Sequence, residues 1–426
     1  MKRRLFLKNT AVIGGSALCT PMLYSFSPKQ QKIRVAAIGI NGMGWSNLNS
    51  ILKHPDVICT ALCDIDANVL KKRETELAQR GITVKTFENY KDVLASKDVD
   101  AVIIGTPDHW HALQMIDACK AGKHVYIEKP LGNSIEECMA MVTAAKKHNN
   151  IVQVGQWQRS QKHFADAIAM VHSGRLGKIR IVKAWSYVGW KHGIPPVSNT
   201  AAPVGVNYDL WLGPAKKRPF NSNRFHFEFR WFWDYAGGLM TDWGVHMLDY
   251  ALLGMQVSEP KSIVSTGGKF AYPTDASETP DTLNTVYEFD NFNIIWEHTK
   301  GIVLGPYERD HGVAFIGENG TLALNRKGWE VIPEKDKMER IPLQKPEDNG
   351  LDMHTANFVE AIKRSDPNLI SAPVEAGAHI AIFSQMGNIA YRVGKKLHWD
   401  VEKKCFDDPE ANALIKTNYH NGYQLG

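Results

Sequence analysis

Two stretches of this chain put side chains able to do chemistry where a ligand could meet them. The first is Lys123-His124-Val125-Tyr126-Ile127-Glu128-Lys129-Pro130. Its apolar run, residues 125–127, reads as the end of a buried strand. Proline withdraws a ladder donor and fixes φ, so the strand stops there and the chain turns. Polar groups just beyond the carboxyl end of a strand in an open α/β sheet face the ligand crevice. Lys129 can therefore reach a bound substrate, although a strand end capped by solvated charges is the plainer reading of that stretch alone. The second stretch holds Asp242, His246 and Asp249, which follow the glycine pair Gly237-Gly238. Residues 239–253 have helical length and pattern, which places all three on one helix face. A solvated Asp–His pair is the commoner outcome on an arbitrary helix. Here Leu239, Met240, Met247 and Leu248 flank the polar residues, so that face is expected to line a cleft.

The elements that must position these groups are legible from the start of the folded part. Residues 33–38 form an apolar run followed by Gly39-Ile40-Asn41-Gly42-Met43-Gly44, after which residues 45–53 continue as a helix. Glycines at such a turn let the backbone approach a pyrophosphate seated on a helix N-terminus. The match to G-x-G-x-x-G is imperfect, since Asn41 stands at the middle glycine with Gly42 beside it. Asparagine tolerates positive φ better than other non-glycine residues, which keeps the turn plausible. Gly39, Asn41, Gly42, Met43 and Gly44 are thus candidate cofactor contacts. A second strand, residues 57–62, leads to Asp64, twenty residues after Gly44. An acidic residue there accepts both ribose hydroxyls of NAD and repels a 2′-phosphate, so Asp64, with Asp66 as the alternate, favours NAD over NADP.

A helix (66–80), a short strand (84–87) and a helix (90–95) follow. A buried strand (100–105) then ends in Thr106-Pro107-Asp108-His109-Trp110-His111, and a helix (112–121) leads back to Lys129. This alternation defines a doubly wound parallel sheet over residues 32–153, an α/β dinucleotide-binding domain. Thr106 and Pro107 lie at its ligand edge. His109 and His111 either line the nicotinamide pocket or are ordinary packing at a helix start.

Together the glycine turn, Thr106-Pro107 and Glu128-Lys129-Pro130 resemble the Gfo/Idh/MocA oxidoreductases, and the later Gly237-Gly238…Asp242-Trp243-Gly244-Val245-His246 segment resembles the family's second signature. The likeness spans nearly all of the chain after the leader. It implies an N-terminal Rossmann domain, bound NAD(P), and a substrate among sugars, cyclitols or their derivatives. It also implies Lys129, Asp242 and His246 as the catalytic trio. Histidine suits the transfer of a hydroxyl proton near neutral pH. The lysine would stabilise charge on the reacting oxygen, with Glu128 orienting it or meeting cofactor ribose. Some relatives are NAD-dependent glycoside hydrolases; as their pattern is understood, they replace the D-x-G-x-H segment retained here. A sugar-binding sensor with a vestigial Rossmann domain is the non-enzymatic alternative.

Residues 154–426 are expected to form an α+β domain with a large, mainly antiparallel sheet, from strands near 179–188, 263–270, 282–289, 293–298, 313–316 and 321–324, closed by helices 353–364 and 375–393. Such a sheet, covered by helices on one face, offers the other to a second subunit, and the family commonly dimerises there, so a dimer or tetramer is expected. Arg159, at the end of an apolar run, and Trp233, in an aromatic tract with Tyr208, Trp211 and Trp231, are candidate substrate contacts. A metal site built on His109, His111, Asp242 and His246 lacks compact ligand spacing, so no metal is expected.

Composition narrows the class. At 426 residues two domains are natural, and 44% hydrophobic with 22% charged residues is ordinary for a soluble globular protein. The net charge of +5 comes largely from Lys2, Arg3, Arg4 and Lys8, before any acidic residue occurs. No nucleic-acid footprint is left once they are set aside. Arg3-Arg4-Leu5-Phe6-Leu7-Lys8, followed by a short apolar run, closely resembles a twin-arginine export signal, so residues 1–31 read as leader and linker and the mature protein as periplasmic, without stable membrane insertion. Leu18 before Cys19 is a poor fit to a lipidation site. Six scattered cysteines read as free thiols rather than a disulfide framework.

Overall fold

The computed structural model describes residues 32–425. The twin-arginine stretch and Cys19 lie outside the described residues. The first unit alternates β1 (Ile33–Ile38), α1 (Met43–Ile51), β2 (Val57–Cys63), α2 (Ala67–Ala78), β3 (Lys85–Phe87), α3 (Tyr90–Ala95), β4 (Ala101–Ile104), α4 (Asp108–Lys120), β5 (His124–Ile127), α5 (Ile135–His148) and β6 (Val152–Val154). The six strands run parallel in the order β3-β2-β1-β4-β5-β6. Helices on both faces bury the strands, which explains why β1, β4 and β5 read as nearly continuous apolar runs. Strand order reverses at β1, so a crevice opens beyond the carboxyl ends of β1 and β4. Local chemistry fixes the helix starts that border it. Asp66 caps α2 by accepting the Asn68 and Val69 N–H groups, and Ser134 caps α5 by accepting that of Glu137.

The second unit comprises α6 (Lys162–His172), β7 (Ile179–Val188), α7 (Tyr208–Leu212), α8 (Gly238–Asp242), α9 (Gly244–Met255), β8 (Ser262–Gly268), β9 (Thr282–Glu288), β10 (Asn293–Lys300), β11 (His311–Gly317), β12 (Gly320–Asn325), β13 (Gly328–Pro333), β14 (Ile341–Gln344), α10 (Gly350–Arg364), α11 (Val374–Val393), β15 (Leu397–Asp400), β16 (Cys405–Phe406) and α12 (Pro409–Ala413). Ten strands make one sheet, ordered β14-β13-β12-β11-β7-β10-β9-β8-β15-β16. It is antiparallel except at its centre, where β7 and β10 pair in parallel. Helices α6, α9 and α11 pack onto it around Phe164, Met247, Trp296, Phe315 and Phe383.

Three expectations change. The helix expected over 239–253 is broken at Trp243 into α8 and α9. Helix α4 starts at Asp108, not at 112, because Pro107 stands at its N-cap and Asp108 suits the positive end of the helix dipole. The boundary drawn at 153/154 passes through β6, the last strand of the parallel sheet. The C-terminal helices also return to the first unit, α10 against α1 and α11 against α5. Cys59, Cys63, Cys119, Cys138 and Cys405 are free thiols.

Candidate active site

The crevice beyond β1 and β4 is a cavity of about 560 Å³. Close backbone approach shapes its floor. Gly39 adopts φ +78°, the left-handed region that glycine favours, and a Cβ on Gly44 would fall 1.9 Å from the Gly39 carbonyl oxygen. Asn41 is not in that region, so the turn does not need its tolerance of positive φ, and the missing middle glycine carries no conformational penalty. Its carbonyl instead accepts an Arg73 N–H at 2.9 Å, while its side chain meets His226 Nδ1 at 3.1 Å.

Asp64 lines the cavity at the end of β2, accepting the Ile40 N–H at 2.9 Å and the Asp66 N–H at 3.1 Å. Burial nevertheless pushes its carboxyl above the ordinary value. Asp66, the alternate, is engaged as the α2 cap and lies 3.3 Å from His226. Met43, Gly42, Thr106, Pro107, Glu128 and Lys129 also line the cavity. Glu128 is buried, accepts an Asn47 N–H at 2.7 Å, and is likewise raised by burial. His109 and His111 do not line it. His109 Nε2 meets the Trp211 carbonyl at 3.0 Å; the His111 ring is held between the Pro130 and Thr106 carbonyls at 2.8 and 2.9 Å. Burial lowers both pKa values to about 4. His111 thus fastens the loop carrying Lys129 to the end of β4.

Lys129 crosses from the first unit to the second. Its Nζ donates to Asp242 Oδ1 at 2.7 Å and to the Asp242 carbonyl at 2.9 Å. That second bond accounts for the broken helix. The carbonyl that would close the next helical turn is engaged by the lysine, and the His246 N–H turns to the Trp243 carbonyl at 3.0 Å. Burial raises the Asp242 carboxyl, but the Lys129 ammonium and the Arg230 guanidinium outweigh it and hold the pKa at about 2. Burial, together with the Lys129 and Arg326 charges, drives His246 well below its ordinary value, so its ring is neutral at pH 7. Among the described residues its Nδ1 has no hydrogen-bond partner.

Comparison with known proteins decides the family. Residues 33–156 match the family model described as oxidoreductase family, NAD-binding Rossmann fold, and residues 170–425 match its companion, the oxidoreductase family C-terminal alpha/beta domain. The chain belongs to the Gfo/Idh/MocA oxidoreductase family. It is 30% identical over 338 residues to the uncharacterized oxidoreductase YrbE of Bacillus subtilis (strain 168), covering 78% of this chain and 85% of that protein. A glycosyl hydrolase family 109 protein of Shewanella sp. (strain W3-18-1) is 30% identical over 159 residues, 36% of this chain. The match spans about a third of that relative, 34% of its length. Aldose-aldose oxidoreductase from Caulobacter crescentus superimposes with a TM-score of 0.63 at 20% identity, over 86% of this chain and 100% of that one. Levoglucosan dehydrogenase, complexed with NADH and levoglucosan, gives 0.64 at 18% identity over 86% of this chain and 99% of that one. At these identities the two structures speak for the fold.

In this Gfo/Idh/MocA protein the remaining candidates lie elsewhere. Arg159 forms a short, two-pronged ion pair with the buried Asp249, which takes Asp249 away from Asp242 and His246. Trp233 is pinned to Glu278 through its backbone N–H and indole N–H, with Arg392 stacked on its ring, and does not line the cavity. Trp211 lines the cavity, whereas Trp231 is fully buried. Three residues were not anticipated. Arg230 donates to Asp242 at 3.2 Å. Asp108 lines the cavity as a buried carboxyl and is raised by burial to about 7. Arg326 adds a charge near His246. Asp108 had a local signal in its place beside Pro107; the two arginines meet the site only through folding. Among the described residues no group of three His, Cys, Asp or Glu side chains is arranged to hold a metal ion. No described helix is long and apolar enough to cross a membrane.

Proposed function

We propose that this protein is a dehydrogenase that moves a hydride between a hydroxyl-bearing carbon of a sugar, glycoside or cyclitol and a nicotinamide cofactor. The observation that carries the reading is Lys129, which lines the cavity, paired with Asp242, with neutral His246 on the helix that the pair interrupts. The residues present fit the cofactor: the Gly39–Gly44 approach leaves backbone bare for a pyrophosphate, and Asp64 stands where ribose hydroxyls would be accepted. An acidic Asp64 favours NAD over NADP. When bound, the cofactor supplies the hydride acceptor.

The chain supplies the rest. His246, neutral at pH 7, takes the hydroxyl proton as the carbon gives up its hydride. The Lys129 ammonium donates to the reacting oxygen and stabilises the charge that develops there. Asp242, ionised throughout the working range, aims that ammonium. Glu128 accepts the Lys129 backbone N–H at 3.3 Å and steadies the loop. The decisive experiment identifies any nicotinamide released from the denatured protein by mass spectrometry, then follows reduced-nicotinamide absorbance as sugars are added. Lys129→Ala should lower turnover about a thousandfold with cofactor still bound; normal turnover in that variant would sink the assignment.

The glycosyl hydrolase family 109 relatives favour a second reading, transient oxidation followed by elimination and rehydration of a glycoside. Release of aglycone without net NADH distinguishes it. The leader supports export to the periplasm, where a retained cofactor suits either reading. The uncovered face of the ten-stranded sheet supports a homo-oligomer.

A further inference from the structure

Arg326 lies in the turn between β12 and β13, half-buried, with its guanidinium carbon 4.8 Å from the Trp157 ring centre and 4.9 Å from that of Trp243. Two indole faces hold a planar cation by attraction to their π clouds, and they do so without using a single N–H donor. Among the described residues Arg326 makes no ion pair and no hydrogen bond, and its Nε is buried with no partner. Neighbouring arginines differ: Arg159 is engaged by Asp249, Arg230 by Asp242 and Arg309 by Glu330.

The position of this free fork matters. Trp243, one of its two indoles, separates Asp242 from the helix that carries His246. The charge of Arg326 acts on Asp242, His246 and Tyr250. The His311 ring lies 5.0 Å from Trp243. Among the described residues His246 Nδ1, His311 Nε2 and the Tyr250 hydroxyl are each buried without a partner. Three cations, Lys129, Arg230 and Arg326, act on the ionised Asp242, and Asp310 is the other carboxylate whose charge acts on Arg326. Buried polar groups of this kind are matched in working proteins by a ligand or by ordered water. Among the described residues no carboxylate is in contact with this guanidinium, which leaves its donors to an anion.

We propose that Arg326 is an anion-binding subsite, and that the sugar acted on at Lys129, Asp242 and His246 carries a negatively charged substituent which the Arg326 fork binds. This rests on the dehydrogenase reading above and names its substrate class. The planar fork matches a planar carboxylate in two parallel hydrogen bonds, which favours a uronic or aldonic acid over a sulfate ester. His311 and Tyr250 provide uncharged partners of the kind that neighbouring hydroxyls take.

The test uses the NAD-loaded protein and matched pairs of sugars: glucose with glucuronate, galactose with galacturonate, and glucose with glucose 6-sulfate. In at least one pair the acidic member should be favoured about tenfold or more in kcat/KM. Arg326→Met should reduce that acidic-to-neutral ratio about tenfold or more, mainly through KM, and Arg326→Lys should recover part of it. NADH fluorescence titration checks that each variant is folded. A second readout is the acid limb of the pH–rate profile, which should move upward in Arg326→Met once a cation no longer depresses His246. A sulfate preference lost in Arg326→Met supports the subsite with that anion. Preference for neutral sugars, or a ratio unchanged in Arg326→Met, overturns it while leaving the dehydrogenase standing. If no sugar yields NADH, the dehydrogenase reading falls. Calorimetric titration with glucuronate and with glucose 6-sulfate then judges the subsite alone: binding lost in Arg326→Met supports it, and absence of binding overturns it.

Discussion

Asp242 and Asp108 are buried carboxyls in one charged cluster, yet they settle on opposite sides of the usual carboxylate range. Burial pushes both up. Asp242 touches Lys129 and Arg230 and is held at about 2, whereas Asp108, with no cation in contact, stays at about 7. Below pH 7 Asp108 keeps its proton and is neutral; above it, the residue becomes an anion lining the cofactor cavity near Lys129. The oxidised nicotinamide ring is positively charged and the reduced ring is not. NAD⁺ should therefore bind about fivefold more tightly at pH 8 than at pH 6, with little change for NADH, in fluorescence titrations. Asp108→Asn should flatten the NAD⁺ dependence, and an unchanged slope would refute the idea. Lys129, Asp242 and His246 stand out in the sequence by their places on a strand end and a helix, but of the three only Lys129 lines the cavity, and Asp242 meets it through Lys129 and Arg230. Asp108 had only its place beside Pro107 to mark it, and Arg230 and Arg326 had no local mark, since their importance lies in which charges they meet, and that depends on the tertiary fold. Arg159 and Trp233 failed to reach the cavity for the same reason: their partners, Asp249 and Glu278, are far away in the chain.

At the scale of elements, the glycine turn separates what a motif needs from what it merely contains. A Cβ on Gly44 meets the Gly39 carbonyl at 1.9 Å, while one on Gly42 meets nothing within 4 Å. Gly44→Ala should force β1 and α1 apart, cost about 1–3 kcal/mol by thermal melting, and weaken NADH binding at least tenfold. Gly42→Ala should cost clearly less; equal losses in the two variants would contradict the close-approach argument. The parallel sheet was legible because strands covered on both faces are apolar throughout, as in residues 101–104. The broken helix was not. Residues 239–253 have a sound helical pattern, and nothing local reveals that the Asp242 carbonyl is engaged by a lysine from the other unit. The parallel β7–β10 pair was equally hidden, because strand direction in a mixed sheet depends on connections rather than on residue pattern.

At the scale of the molecule, the ten-stranded sheet packs α6, α9 and α11 on one face only. Across the other runs a row of side chains in register, Val264, Val286, Ile295 and Lys183, none of them buried. A partly exposed row of three apolar side chains and a lysine on a broad sheet suits a second copy of the chain. Ile295→Glu should shift the protein toward monomer in light scattering after gel filtration, with NADH binding retained; an unchanged mass would exclude this face as the interface. The two units themselves are joined more tightly than their separate family matches suggest. Lys129 pairs with an Asp242 carboxylate and also takes the main-chain carbonyl that would otherwise complete a helix. Exchange of either unit is therefore constrained at this joint as well as where α10 meets α1 and α11 meets α5. A transplanted cofactor unit must bring its own lysine to the same place, or the Asp242 carbonyl is left without the donor that holds it away from the His246 N–H.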